Sequence, residues 1–225
     1  MRVHVAFTPD QAAPAPVGIV VDVLRATSTI AQALAAGYRR VLCCAEIDDA
    51  RALRAELPDS LLGGERKAVR IEGFDVGASP REFLEPRAET LILSTTNGTS
   101  AILETAERCE EVFLGSLLNL NAVAEVGRGK DAVIVCAGFQ GAFALDDAYC
   151  AGRIVQLLDS ERTDAAIGAE LVARAFPTAA DGLNARTYGP PGLEEDIAFC
   201  ARENVLDVVP RLVGKVGPAA EIALA

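Results

Sequence analysis

Residues 17–23, VGIVVDV, form a nearly continuous β-branched run. A run with no polar face predicts a strand covered on both sides, as in a mostly parallel sheet. Residues 28–36 then place apolar side chains at helical spacing, with Ser or Thr as N-cap and Gly37 to end the helix. The alternation continues: strand 40–45, helix 47–57 stopped by Pro58, a short strand end at 61–64, strand 90–94 and helix 99–107. Strand 112–116, helix 121–127, strand 132–137 and a long helix at 144–158 follow. This pattern predicts an α/β fold, a mostly parallel sheet with helices on both faces in three layers.

Two regions interrupt the alternation. Residues 63–89 read as a long loop of weak periodicity, a feature usually functional or mobile in compact domains. From about 163 the chain reads as mainly helical, broken by Gly-Pro-Pro-Gly at 189–192. The expectation is a single domain over 1–225 whose C-terminal portion is helical, either a small lobe or a cap.

Several function classes are disfavoured. With 21 Lys and Arg against 32 Asp and Glu, the net charge is −11, opposite to the footprint of a nucleic-acid binder. No apolar run has the roughly 18 residues of a membrane span, and residues 1–10 lack a signal-peptide pattern. The six cysteines contain no C-x-x-C pair, so they read as buried thiols of a reducing, cytoplasmic compartment. The single histidine, His4, falls in an alternating N-terminal strand and reads as an edge residue rather than a catalytic base. Walker, dinucleotide-binding and nucleophile-elbow signatures are missing.

In open α/β sheets ligands bind beyond the carboxyl ends of the strands. Here those ends carry unusual chemistry. Asp22 closes the first buried strand and Arg25, Thr27, Ser28 and Thr29 lead into a helix. The arginine and the helix N-terminus suit an oxyanion, and Asp22 would repel that anion unless a cation lay between them. A buried Asp–Arg pair with an N-cap is the plainer alternative. Ser94, Thr95, Thr96, Asn97, Gly98 and Thr99 form a second such end, rich in hydrogen-bonding side chains, which also suits a tight turn. Cys136-Ala137-Gly138 precedes Asp146-Asp147, carboxylates that suit either Mg²⁺ or a helix macrodipole. Gly64-Glu65-Arg66, with Lys67 and Arg70, adds a further carboxylate and a basic cluster that meets either an anion or only solvent.

These segments stand in one order with Gly73-Phe74-Asp75, Ser79-Pro80, Gly115-Ser116, Asn119, Ala151-Gly152, the run 196–201 (DIAFCA) and the run 207–210 (DVVP). Together, from about Val20 to Pro210, they resemble the 2-phosphosulfolactate phosphatase family. The resemblance implies a Mg²⁺-dependent hydrolase that converts (R)-2-phospho-3-sulfolactate to sulfolactate and phosphate, a step of coenzyme M synthesis. It also implies an α/β fold outside the common phosphatase folds.

Such a substrate carries three anionic groups, so several anion cradles are expected. Asp22, Glu65 and Asp147 are the expected Mg²⁺ ligands and, with Arg25 and Arg66, the expected catalytic set. Thr27, Ser28, Thr29, Ser79, Thr95 to Thr99, Ser116, Cys136 and Gly138 are the expected phosphate and substrate contacts. The nucleophile is either a metal-positioned water polarised by Asp22 or Asp147, or a side chain, Asp22 or Cys136. Two positions depart from the family pattern. Ala78 stands where members usually have Asn, and Asp146-Asp147 where they usually have Glu-Asp. Two other readings compete: a phosphatase of another phosphorylated hydroxy-acid, and a non-catalytic anion-binding module. The expected partner is a small phosphorylated anion, with neither nucleic acid nor membrane, and a homodimer is the default assembly.

Overall fold

The computed structural model describes residues 1–187 and 193–225, so the expected break at 189–192 lies outside the described residues. The strands are β1 (Arg2–Ala6), β2 (Ala15–Val21), β3 (Arg40–Cys44), β4 (Leu61–Arg66), β5 (Val69–Arg70) and β6 (Thr90–Ser94). They continue with β7 (Cys109–Gly115), β8 (Ala132–Cys136), β9 (Glu161–Arg162), β10 (Pro210–Val216) and β11 (Ala219–Leu224). The helices are α1 (Ala26–Ala36), α2 (Ile47–Glu56), α3 (Gly98–Ala106), α4 (Leu120–Gly127), α5 (Leu145–Leu157), α6 (Asp164–Arg174), α7 (Ala179–Asn184) and α8 (Glu194–Cys200).

The described strands form one eleven-stranded sheet in the order β5-β4-β6-β3-β11-β10-β7-β2-β8-β1-β9. It is parallel except at β5 and at the β10–β11 hairpin. The β-branched run behaves as its composition demands. Val17, Ile19 and Val21 enter one core cluster with Ile154 and Val155 of α5. Val20, one residue out of phase, enters another with Ile30 of α1 and Ile102 of α3. Successive side chains of a strand point to opposite faces, so both faces of β2 are covered by helices. Gly37 ends α1 in the left-handed conformation with φ 112°, as its position predicts. No described helix is long and apolar enough to cross a membrane.

The C-terminal portion is not mainly helical. After α6, α7 and α8 the chain returns to the sheet as β10 and β11, which lie between β3 and β7. Two features hide this hairpin in the sequence. The register shifts between Leu212 and Gly214, which breaks the two-residue period, and β11 is rich in alanine, a poor strand former. The expected loop at 63–89 is likewise partly ordered as strand. β4 extends to Arg66 and turns into β5 through Lys67 and Ala68, both at positive φ (53° and 62°). Such hairpin turns favour Asn-Gly, so Lys-Ala gives no turn signal. His4 lies on β1, half-buried, its Nδ1 3.0 Å from Thr163 Oγ1.

Candidate active site

The carboxyl ends of β2, β4 and β6 open onto one cavity of about 310 Å³. Its wall includes Asp22, Arg25, Glu65, Thr95, Thr96, Asn97 and Asp146. Lys67, Phe139, Gln140, Arg186 and Leu193 complete much of the rest.

Asp22 is fixed by its own loop. Its N–H donates to Thr27 Oγ1 at 3.1 Å, the Thr27 hydroxyl donates back to the Asp22 carbonyl at 2.9 Å, and Ala26 N–H donates to Oδ1 at 3.3 Å. Ser28 Oγ donates to the Val23 carbonyl and Thr29 Oγ1 to the Ala78 carbonyl, each at 2.8 Å. Thr27, Ser28 and Thr29 are therefore not the anion cradle their spacing suggests. All three are fully buried and spend their hydroxyls on backbone carbonyls. Arg25 does reach the cavity, and its Nη1 donates to Asp196 Oδ2 at 2.7 Å.

Glu65 ties two strand ends together. Its Oε1 accepts from Thr96 N–H and Oγ1 at 2.9 and 2.8 Å, and Oε2 accepts from Ala68 N–H at 2.5 Å. Arg66 points away from the cavity. It donates to the carbonyls of Glu65 and Ala45 and to Ser94 Oγ, within 3.0 Å in each case. Its neighbour Lys67 lines the cavity instead, from the first position of the β4–β5 turn, where its φ of 53° turns the chain out of the strand. Thr95, Thr96 and Asn97 line the wall ahead of α3, whose first turn leaves backbone N–H groups without helical partners. Gly98 and Thr99 stand behind them, with Thr99 Oγ1 3.4 Å from Thr95 Oγ1. Ser79 lies outside the cavity lining and donates to Asp196 Oδ1 at 2.5 Å.

The second aspartate pair divides its labour in the opposite sense to expectation. Asp147, the expected metal ligand, accepts Val23 N–H at 2.9 Å and Gly138 N–H at 3.0 Å, one on each oxygen. It joins the ends of β2 and β8 from behind the cavity wall. Asp146 faces the cavity. Gly138, at φ 70°, is held by this bond, and a Cβ there would fall 2.6 Å from the Ala142 carbonyl oxygen. Cys136 is fully buried in β8, and burial followed by the nearby Asp147 pushes its thiol well above the usual range. A thiol so placed is a poor nucleophile. Ser116 is also fully buried, bonded through N–H and Oγ to Asn119 Oδ1.

Electrostatics set the site apart. Asp22, Asp146 and Asp147 are all buried. Burial pushes the Asp22 carboxyl up to about 7; the Ala26 N–H pulls it down, and Glu65 and Asp146 push it further up. Asp147 is raised well above the carboxylate range by burial and then by Asp146 and Asp22. Among the described residues no three His, Cys, Asp or Glu side chains form a ready metal cage. Mg²⁺ does not need one, since it commonly takes one or two carboxylates and completes its shell with water and substrate phosphate. The crowded carboxylates of Asp22 and Asp146 fit that mode, because a cation there relieves their mutual repulsion.

Sequence reasoning thus brings Asp22, Arg25, Glu65, Thr95, Thr96 and Asn97 to one cavity and misplaces Arg66, Asp147 and most buried hydroxyls. Of the Asp146-Asp147 pair it commits to Asp147, whereas Asp146 is the one on the cavity wall, and it passes over Arg186, which follows α7 in a stretch without a motif.

A model of the family described as 2-phosphosulpholactate phosphatase matches residues 4–215. The chain is 38% identical to a probable 2-phosphosulfolactate phosphatase of Pseudothermotoga lettingae over 94% of this chain and 96% of that protein. It is 38% identical to a protein of the same description from Clostridium acetobutylicum, over 86% of this chain and 88% of the other. A Thermotoga petrophila relative, again so described, is 37% identical over 95% and 96%. A match that runs from β1 into β10 takes in every strand end that borders the cavity, and by it the chain belongs to the 2-phosphosulfolactate phosphatase family.

Proposed function

We propose that this chain is a Mg²⁺-dependent phosphatase that hydrolyses 2-phospho-3-sulfolactate to 3-sulfolactate and phosphate. Family membership supports the reaction. The observation that carries it on the structural side is the polarity of one cavity, with buried Asp22 and Asp146 on its wall together with the cations Arg25, Lys67 and Arg186. A dianionic phosphoryl group with two further acid groups complements that wall, and a cation beside the carboxylates removes their repulsion toward it.

In this reading Asp22 and Asp146 hold Mg²⁺, with Glu65 beside them. Bound there, Mg²⁺ supplies charge neutralisation for the phosphoryl oxygens. Arg25 grips the phosphoryl group through its guanidinium, and the N-terminal N–H groups of α3 with Thr95 and Asn97 orient its oxygens. Water attacks phosphorus, the P–O bond to the hydroxy-acid breaks, and the proton released by the water ends on the leaving oxygen. The six free cysteines support a reducing, cytoplasmic setting. Placement of β10 and β11 inside the sheet supports one α/β unit over the whole chain.

Ala78 favours keeping a second substrate in view. It lies on the cavity wall and offers no hydrogen-bonding side chain. The test is phosphate release from 2-phosphosulfolactate, phospholactate and phosphoglycerate, each with Mg²⁺ and with EDTA, for the wild type and Asp22→Asn. Mg²⁺-dependent release from phosphosulfolactate, lost in the variant, is the expected result. Preference for another phospho-acid would replace the substrate, and no release from any would replace the reaction.

A further inference from the structure

We infer that Asp196 of α8 is a positioning residue, which sets the orientation of Arg25 from behind the cavity wall. This rests on the reading of Arg25 as the group that grips the substrate anion. Arg25 lines the cavity and Asp196 does not. The two side chains are 9% and 6% exposed and pair at 2.7 Å through Nη1 and Oδ2. The other carboxylate oxygen, Oδ1, accepts the Ser79 hydroxyl at 2.5 Å. Arg25 Nη2 is held separately by the Ala68 carbonyl at 3.3 Å. Three stretches remote in sequence therefore fix one guanidinium: α8, the loop at Ser79, and the β4–β5 turn.

The arrangement does more than neutralise charge. A guanidinium is planar, so restraints on both terminal nitrogens define the plane of its fork. An arginine on a free stem would sample many rotamers and lose them on binding. Here that ordering is complete before the anion arrives. Ser79 does for Asp196 what Asp196 does for Arg25, since it holds the carboxylate by the oxygen that does not touch the arginine. A buried ion pair is poor evidence of stabilisation in itself, which leaves orientation as the better account of this one. Glu195, the residue before, pairs with Arg81, whose Nη1 also lies 3.9 Å from Asp196 Oδ1, so α8 is docked to the segment after Ser79 at two adjacent positions.

A double-mutant cycle tests this. Asp196→Asn, Ser79→Ala, Arg25→Ala and the two doubles with Arg25→Ala are compared in kcat/KM for 2-phosphosulfolactate, and in calorimetric affinity for inorganic phosphate. Asp196→Asn is expected to cost roughly 10- to 100-fold in kcat/KM, the size of a modest misplacement of a binding group. Added to Arg25→Ala it should cost less than about 2-fold, because an effect that acts through Arg25 vanishes with it. Ser79→Ala should show the same dependence at smaller amplitude, and it carries the test if Asp196→Asn does not fold. Losses that multiply in the Arg25→Ala background would overturn the inference, as would unchanged kinetics in a folded Asp196→Asn. If the wild type releases no phosphate, the proposed reaction fails, and the phosphate-binding cycle still decides the role of Asp196.

Discussion

Gly98 stands so close to Asp22 that a Cβ upon it would lie 2.7 Å from Asp22 Oδ2 and 2.4 Å from the Ala26 Cβ. The first turn of α3 can therefore approach the carboxylate only while residue 98 has no side chain. Its backbone does not adopt a left-handed conformation, so Gly98→Ala adds overlap and little else. We expect a loss of about 1–3 kcal/mol in stability, as for overpacking elsewhere. The displaced wall should also lower kcat/KM by at least roughly 10-fold. A variant with wild-type kinetics would mean that α3 and Asp22 need not meet.

Asp146 and Asp147 are adjacent and should fail in different ways. Asp146→Asn removes charge from the cavity wall, so Mg²⁺ affinity and turnover should fall while the melting temperature holds or rises. Asp147→Asn places an amide NH₂ against the N–H of Val23 or Gly138, because both carboxylate oxygens now accept. One unsatisfied buried donor costs about 1–3 kcal/mol. At about 2–4 °C per kcal/mol for a chain of this size, the melting temperature should drop visibly. The reverse pattern, with Mg²⁺ affinity lost only in Asp147→Asn, would restore the metal role its sequence position suggests.

The raised carboxyl of Asp22 gives the proposed Mg²⁺ binding a direction in pH. Its value moves from 3.8 to about 7 on folding, so the folded chain holds an extra proton between those values. The associated stability is fully present below about pH 4 and is lost as pH rises through about 7. A cation competes with that proton. Added Mg²⁺ should thus raise the melting temperature more at pH 8 than at pH 5, and Asp22→Asn should abolish the difference. Equal shifts at both pH values would place the ion elsewhere.

What could be read in advance follows from locality. The burial of β2 on both faces is written in seven consecutive residues, and the strand ends that carry Asp22, Glu65 and Thr95 follow from it. The face on which a side chain falls is less local. Arg66 and Lys67 are separable only once the β4–β5 hairpin is known, since Arg66 closes the strand and Lys67 opens the turn at positive φ. The hydroxyls of Thr27, Ser28 and Ser116 look alike in sequence whether they meet a ligand or a carbonyl, and their partners sit three to five residues away in the same turn. Asp196 and Arg25 lie 171 residues apart, and no local pattern links them.

That difference between Arg66 and Lys67 is itself measurable. Arg66→Ala removes bonds to the Ala45 carbonyl and Ser94 Oγ that fasten β4 to its neighbours, and should lower the melting temperature. Lys67→Ala removes an exposed cation from the cavity wall. It should raise KM for 2-phosphosulfolactate by roughly 3- to 10-fold with kcat little changed, the mark of a uniform binding contact. An effect of Lys67→Ala on melting alone would remove it from the site.

Asn119 should prove structural although it belongs to a motif-bearing stretch. Its Oδ1 accepts Ser116 N–H and Oγ at 2.9 and 2.8 Å, and its Nδ2 donates to the carbonyls of Leu114 and Val208 at 3.2 and 3.0 Å. Every polar atom of the amide is thus engaged, and the side chain is fully buried. The bond to Val208 seats the stretch that leads into β10, where Asn204 and Leu206 also donate their N–H groups to the carbonyls of Leu117 and Leu118. Asn119→Ala leaves more than one buried group without a partner, and should cost about 2–4 kcal/mol. Asn119→Asp fares no better, because its second oxygen would face two carbonyls. Both variants should melt early while the folded fraction keeps kcat/KM within about 3-fold, since neither Asn119 nor Ser116 lines the cavity. A raised KM at unchanged melting temperature would instead return Ser116 to the substrate contacts that the sequence suggests.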